Sequence, residues 1–193
     1  GGYWGRNPQT GRIDGSVINA DAAGIVIDDL DLGGVFMLSA STSSLSAGVY
    51  AAAHASLASA RVHGIDGLTA EVRDLVFELN AGASTDLAAV DFSRSRHTVV
   101  AADGTASERP GYAIAAPGAA GPIVLDFNRA LVTTQGAAEF NLLDVAVLEG
   151  VFDLAVDASS LAIYFDGLSR IGPADGFQVA TDVEVVLVAN RQG

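Results

Sequence analysis

The side chains best suited to hold a cation form a short acidic run. Asp28, Asp29 and Asp31 supply carboxylate oxygens, which are the ligands that calcium prefers. Strict alternation along a strand would place Asp29 and Asp31 on one face and Asp28 on the other. The run could be a weak calcium site, or a solvated strand face whose charges discourage edge pairing, and we favour the second interpretation. We predict no other cofactor.

A second candidate for calcium is the opening stretch GGYWGRNPQTGRIDG, which carries the only tryptophan. A twelve-residue calcium loop needs glycine at its sixth position and oxygen ligands at its first, third and fifth. With Gly11 in the sixth position, those places fall to Arg6, Pro8 and Thr10, and arginine and proline side chains cannot ligate calcium. The stretch therefore predicts a surface turn, with Trp4 as a packing anchor.

Residue types with catalytic potential are few and poorly spaced. His54, His63 and His97 show neither the i,i+4 spacing nor the intervening glutamate of a zinc protease. Ser16 lacks the strand-turn-helix context of a nucleophile elbow. Cysteine and lysine are both absent, which excludes thiol nucleophiles, disulfides and Schiff-base chemistry. Pairs of acids for glycoside cleavage cannot be located from sequence alone. We predict that the protein is not an enzyme.

The charge and the apolar content restrict the class of partner. The formal net charge is −13, which repels phosphate backbones and anionic lipid surfaces, so we expect no nucleic-acid partner. No apolar run reaches the length of a membrane span, and the first residues do not resemble a signal peptide, so we expect no membrane insertion. The chain is 50% apolar but only 7% aromatic, which predicts thin layers packed with small and β-branched side chains.

Period-two alternation is the main structural signal. It is clearest in FQVATDVEVVLVAN, where residues 177–187 place apolar side chains on one face and acids on the other. The alanine-rich SLSAGVYAAAHASLASA could also form a helix, but its glycine and its continuation into an alternating run favour a strand. Similar alternation occurs near residues 25–27, 75–79, 123–127 and 161–165, and turn signals occur as DLGG (31–34), GIDG (64–67), ADG (102–104), FDG (165–167) and PADG (173–176). The sequence predicts an all-β fold.

The recurrence of these signals predicts many short strands in a single module spanning residues 1–193. GIVIDDLDLGGVFMLSA (Gly24 to Ala40) and NLLDVAVLEGVFDLAVD (Asn141 to Asp157) also share an aspartate, an apolar run and Gly-Val-Phe-x-Leu. Such self-similarity is typical of stacked strand units that need a neighbour to bury their apolar face. The alternatives that we retain are an elongated β-solenoid and a β-sandwich. Residues 86–121 are the least regular part and are predicted to be a long surface loop or an irregular edge.

The order of several segments resembles the tandem repeats of giant repetitive, adhesin-like bacterial surface and extracellular proteins. The segments are GGYWG, GIVIDDLDLGGVFML, ARVHGIDGLTAEVRDLVFELN, AVDFSRS, PIVLDFNRALVTTQGAAEFNLLDVAVLEGVFDLAV and DVEVVLVANRQG. The resemblance implies units of about this length in succession, on the cell surface or outside the cell. VLVANRQG of one unit would then run into GGYWG of the next, across a seam formed by Gly1, Gly2, Tyr3, Trp4, Val188 and Asn190.

These observations favour a non-catalytic structural module of an extracellular filament or cell-surface layer. Its partners would be copies of itself, joined end to end either covalently or non-covalently. The alternative is an adhesin or carbohydrate-binding module that uses residues 86–121 as its recognition loop, although Phe92 and Tyr112 are the only aromatic residues there.

Overall fold

The protein is all-β and is built on one large antiparallel sheet. A computed structural model describes residues 4–6, 9–10, 13–19, 22–39, 48–82, 89–115, 121–157, 159–173 and 175–190. The large sheet has seven strands in the order β13-β12-β11-β10-β5-β4-β3, and its two end strands do not meet. Its strands are β3 (Gly24–Ser39), β4 (Gly48–His63), β5 (Leu68–Gly82), β10 (Leu131–Leu142), β11 (Ala146–Asp157), β12 (Ser160–Ile171) and β13 (Val179–Asn190).

Six further short strands form three two-stranded sheets, which pair β1 with β2, β6 with β7 and β8 with β9. They are β1 (Trp4–Arg6), β2 (Ile13–Ile18), β6 (Arg96–Val100), β7 (Ala106–Pro110), β8 (Tyr112–Ile114) and β9 (Ile123–Leu125). The strands β6 to β9 belong to an excursion, residues 83–130, which separates β5 from β10 in the sequence although the two strands pair in the sheet. The described part of the excursion is residues 89–115 and 121–130.

The all-β prediction is confirmed, but the strands of the large sheet are long. They contain 12 to 16 residues each. Two of the expected turns lie inside these strands. DLGG lies within β3 and FDG within β12, so both turn predictions are wrong. The turn predictions at residues 64–67 and 102–104 are confirmed, and the described residues of PADG also turn. The alanine-rich segment is strand β4 over its described residues, as predicted.

Glycines inside these strands allow close packing rather than turns. A Cβ added to Gly33 would lie 3.0 Å from side-chain atoms of Ile123, so strand β9 packs directly over β3 at this point. A Cβ on Gly167 would lie 2.1 Å from the carbonyl oxygen of Glu149, because Gly167 faces Gly150 across the β11–β12 pair. A glycine in a strand often marks such a close approach.

A line of irregular residues crosses three neighbouring strands at one level. Asp29 in β3 and Asp74 in β5 have φ angles of 52° and 51°, in the left-handed region. The paired registers of β3 and β4, and of β4 and β5, skip Ala58 at the same level. Each of these strands thus carries one extra residue, and extra residues of this kind form β-bulges. The bulge shifts the two-residue repeat of β3. On the face that contacts the excursion, the residues are even-numbered before Asp29 and odd-numbered after it.

The described excursion packs over one end of the sheet and forms the main core. Phe92, Leu125 and Phe127 of the excursion are buried against Ala52 of β4. The ring of Phe92 meets that of Phe127 edge to face, with centroids 6.5 Å apart, which is a favourable aromatic geometry. Partly buried apolar residues surround this cluster, namely Val35, Met37, Val90, Ile114 and Leu131.

Asn80 fastens the excursion to the sheet. Its side chain is 0% exposed, and its Nδ2 group donates hydrogen bonds of 2.9 Å to the carbonyl oxygens of Val90 and Arg129. These two residues lie near the start and the end of the excursion. The described residues of segment 86–121, for which we expected a long surface loop or an irregular edge, form a 3-10 turn at Phe92–Arg94 and the short strands β6, β7 and β8.

Candidate functional site

The excursion packs over one face of the large sheet, and we call the other face the open face. Its side chains follow from the strand registers, because directly paired residues point to the same side of an antiparallel sheet. Three registered rows on this face contain no charged residue. The rows are Leu32-Ala55-Phe77-Thr134-Leu154-Ile163-Leu187, Gly34-Ala53-Leu79-Val132-Val156-Leu161-Ala189 and Ile27-Ala60-Val72-Ala138-Gly150-Gly167-Val183.

Many apolar side chains of the open face remain in contact with solvent. Phe36 is 88% exposed and Leu38 is 79% exposed, at the end of β3 that lies near the excursion. Leu148 of the central strand β11 is 42% exposed. Exposed apolar patches larger than a few hundred Å² are rare in monomers and mark interaction sites. The open face is therefore the first candidate for a functional surface.

A shallow trough of about 320 Å³ lies in the open face. Small side chains from central strands, such as Ala60, Ala70 and Ala138, leave room there, while Phe140 and Phe165 rise beside them. Its lining comes from six strands, β3, β4, β5, β10, β11 and β12, and its exposed surface is almost wholly apolar. The trough could therefore receive apolar side chains or hydrocarbon, but it offers little to orient a polar substrate.

The opposite face, which we call the covered face, carries the excursion at one end and charged side chains elsewhere. Two of its registered rows are Asp28-Ser59-Arg73-Ala137-Val151-Asp166-Glu184 and Val26-Arg61-Glu71-Glu139-Glu149-Leu168-Asp182. Arg73 Nη2 lies 3.6 Å from Glu139 Oε2, and His54 Nδ1 lies 3.5 Å from Glu78 Oε1. The sheet is thus amphipathic, with its charge on the covered face.

The two edges of the sheet are the second candidate surface. Among the described strands, β3 and β13 each pair on one side only. Four consecutive residues of β13, Val185 to Val188, are all between about half and two thirds exposed. An exposed, long and apolar edge strand is a template for pairing with another chain. Both edges also carry acids, with Asp182 and Glu184 on β13 and the acidic run on β3.

The predicted cation ligands do not converge. Asp28 forms a salt bridge with Arg61 and accepts a hydrogen bond of 3.2 Å from Ser59 Oγ. Because of the bulge at Asp29, Asp28 and Asp31 share the covered face, so the expected division between faces is wrong. Within the described ranges, no three histidine or acidic side chains are grouped closely enough to hold a metal ion.

The predicted seam is described only in part. Gly1, Gly2 and Tyr3 lie outside the described residues, as does much of the calcium-loop candidate. Trp4 belongs to the short strand β1, which pairs with β2. Val188 and Asn190 lie on the edge strand β13, where Val188 is exposed.

The residues considered for catalysis or recognition belong to the strands, hydrogen bonds and core of the fold. His97 Nδ1 lies 3.3 Å from the carbonyl oxygen of Gly111 within the excursion, and Ser16 lies in strand β2. Phe92, one of the two aromatic residues of the proposed recognition loop, is 3% exposed and belongs to the core. Tyr112 is 46% exposed, and its ring centroid lies 6.3 Å from that of Phe92.

Sequence reasoning identified the apolar alternation but missed the open face. The signal was present, since nearly every alternating strand placed its large apolar side chains on one set of positions and its acids on the other. What could not be predicted is that the excursion covers the opposite face. The pairing of β5 with β10 across the excursion also left no local signal.

The part of the chain that the structure describes contains no helix that could span a membrane. Comparisons with protein-family models, with curated proteins and with solved structures gave no match to this chain.

Proposed function

We propose that the chain is a non-catalytic structural module that pairs with copies of itself, edge to edge, in an extended assembly at the cell surface or outside the cell. The observation that supports this proposal best is the apolar edge strand β13, with the other edge of the same sheet provided by β3. The resemblance to giant repetitive surface proteins motivates the location. For the finer architecture of the module we keep both alternatives, an elongated β-solenoid and a β-sandwich, because the seven-stranded sheet of the described residues is not closed.

The direction of the strands defines how edges would meet. Six antiparallel steps separate β3 from β13, so the two edge strands run in the same direction. A neighbour related by simple translation would therefore place its β3 parallel to β13. Parallel pairing needs a connection of about a dozen residues or more. In a tandem array, residues 191–193 of one unit and 1–23 of the next would form a connection longer than that.

The acids on both edges would regulate this pairing. Asp182 and Glu184 on one edge would approach the acidic run on the other, and like charges on neighbouring strands oppose pairing. Salt screens such repulsion, since the Debye length falls from about 10 Å at 0.1 M to about 3 Å at 1 M. We therefore expect assembly to be stronger at high ionic strength.

The test uses a lysine placed on the edge strand. Val186 is 64% exposed, so Val186→Lys removes little packing within the chain. An edge lysine protects against strand pairing because its charge loses hydration there, and at high salt its attraction to the acids of the opposite edge is screened. We expect electron micrographs of the unaltered chain at high salt to show fibres or ladders, and those of V186K to show none.

The matched control is Val151→Lys on the central strand β11. Val151 also lies on the covered face and is 49% exposed, but its strand is paired on both sides. This variant should assemble as the unaltered chain does. Fibres from V186K, or an unaltered chain without fibres, would contradict edge pairing.

A further inference from the structure

The chain exposes more surface than a compact protein of this size. The accessible surface of the whole chain is 12776 Å². A compact monomer of 19.6 kDa exposes about 8,600 Å², so the excess is about 4,200 Å². Interfaces of obligate dimers bury about 2,000 to 5,000 Å² in total, or about 1,000 to 2,500 Å² of each copy, so the excess of one chain is larger than the area that one such interface would bury on it.

The open face is large enough to account for a substantial part of that excess. Seven strands spaced about 4.8 Å apart, each of about twelve residues, cover about 30 Å by 40 Å. Two such faces in contact would bury about 2,400 Å² in projection, which exceeds the area of a standard stable interface. The proposed edge pairing, in contrast, would leave the open face in contact with solvent.

The charge distribution identifies the chemistry of the partner. The three registered rows of the open face hold no charged residue, so a charged partner surface would lose its hydration without gaining an opposite charge there. An anionic lipid surface is disfavoured by the net charge of −13. The open face of a second copy meets both conditions, because it is equally apolar and carries its charges on the far side.

We propose that the open faces of two copies pack against each other as a two-layered sandwich. Aligned sheets pack about 10 Å apart with their strands within about 30° of each other, and the inner side chains interdigitate. The trough then receives bulky side chains of the second copy, and Phe36 and Leu38 are the most exposed on this face. The interface is isologous, with the same surface used by both copies.

This inference concerns a different surface from the proposed edge pairing, so the two can be tested separately. The variant Val186→Lys blocks the edge and serves as the background for the test. In that background, Leu148→Lys changes the open face and Val151→Lys changes the covered face. Leu148 and Val151 lie on the same central strand and have similar exposures, 42% and 49%.

We expect sedimentation velocity to give V186K a mass of twice 19.6 kDa, with V186K/V151K also dimeric and V186K/L148K monomeric. A monomeric V186K at every concentration would overturn the sandwich, as would a dimeric V186K/L148K. Fibres formed by V186K would instead contradict the proposed edge pairing. The packing of two open faces would then be tested by the maleimide labelling described next.

The second measurement does not depend on how well the lysine variants fold. The chain has no cysteine, so Leu148→Cys and Val151→Cys each introduce a unique thiol. In the V186K background we expect maleimide to label Cys at position 148 slowly in concentrated protein and fast after dilution, and position 151 fast throughout. Equal labelling at both positions would overturn the proposal. Protection of position 148 only after neutral or anionic lipid vesicles are added would also overturn it, in favour of a hydrocarbon occupant.

Discussion

Asp157 shows how a single side chain shapes the end of a strand. It is the last residue of β11, and its Oδ1 atom accepts 2.8 Å hydrogen bonds from the backbone N–H groups of Ser159 and Ser160. The hydroxyl of Ser159 donates a third bond of 3.0 Å. Hydrogen bonds from Ser159 and Ser160 favour the charged carboxylate and lower the pKa of Asp157 to about 2.

The lowered pKa predicts a defined dependence of stability on pH. Asp157 stabilises the fold above its ordinary pKa of 3.8, and this contribution is lost as the pH falls towards 2. We expect Asp157→Asn to be less stable than the unaltered chain at pH 7 and the difference to shrink as the pH approaches 2. Urea unfolding of both chains across this range measures the effect. A difference that does not change with pH would contradict the assignment.

Residue-level roles were only partly predictable from sequence. Two serines follow Asp157 at positions 159 and 160, and this spacing is a recognisable turn signal. Asn80, in contrast, looks like an ordinary polar residue near the end of a strand. Its partners Val90 and Arg129 lie 10 and 49 residues away, so its role follows only from the tertiary fold.

At the scale of elements, the docking of the excursion depends on Asn80. We expect Asn80→Ala to lower the free energy of unfolding by about 1–3 kcal/mol, because the carbonyl groups of Val90 and Arg129 lose the donor that they share. Urea unfolding measures the loss, and limited proteolysis within residues 89–130 reports whether the excursion loosens.

The control for this change is Thr98→Ala, an exposed substitution within the same excursion, which should alter stability by no more than about 0.5 kcal/mol. If the two variants were equally stable and equally resistant to protease, Asn80 would not hold the excursion in place.

The alternation of β5, β12 and β13 could be read from the sequence because side chains on a strand repeat every two residues. The bulge at Asp29 could not, since a left-handed aspartate leaves no mark in the apolar pattern beyond a shift of one residue. The length of the strands could not be predicted from the sequence either. Aspartate and glycine close together favour a turn locally, but Gly33 packs against Ile123 of the excursion and Gly167 packs against Gly150 of the neighbouring strand β11.

At the scale of the whole molecule, the sheet separates apolar from charged surface. The acids are concentrated on the covered face and the edges, while the open face holds the three uncharged rows. The composition alone, acidic and half apolar, is equally compatible with a compact monomer. The apolar open face becomes evident only from the pairing of seven strands in one sheet with the excursion on the other side.

Sedimentation velocity of the unaltered 193-residue chain, over a range of concentrations at low and at high salt, measures whether the chain associates with copies of itself. We expect a mass above 19.6 kDa that increases with concentration and further with salt, because apolar surfaces associate and screening weakens repulsion between acidic edges. A single species of 19.6 kDa at every concentration and salt level would contradict it.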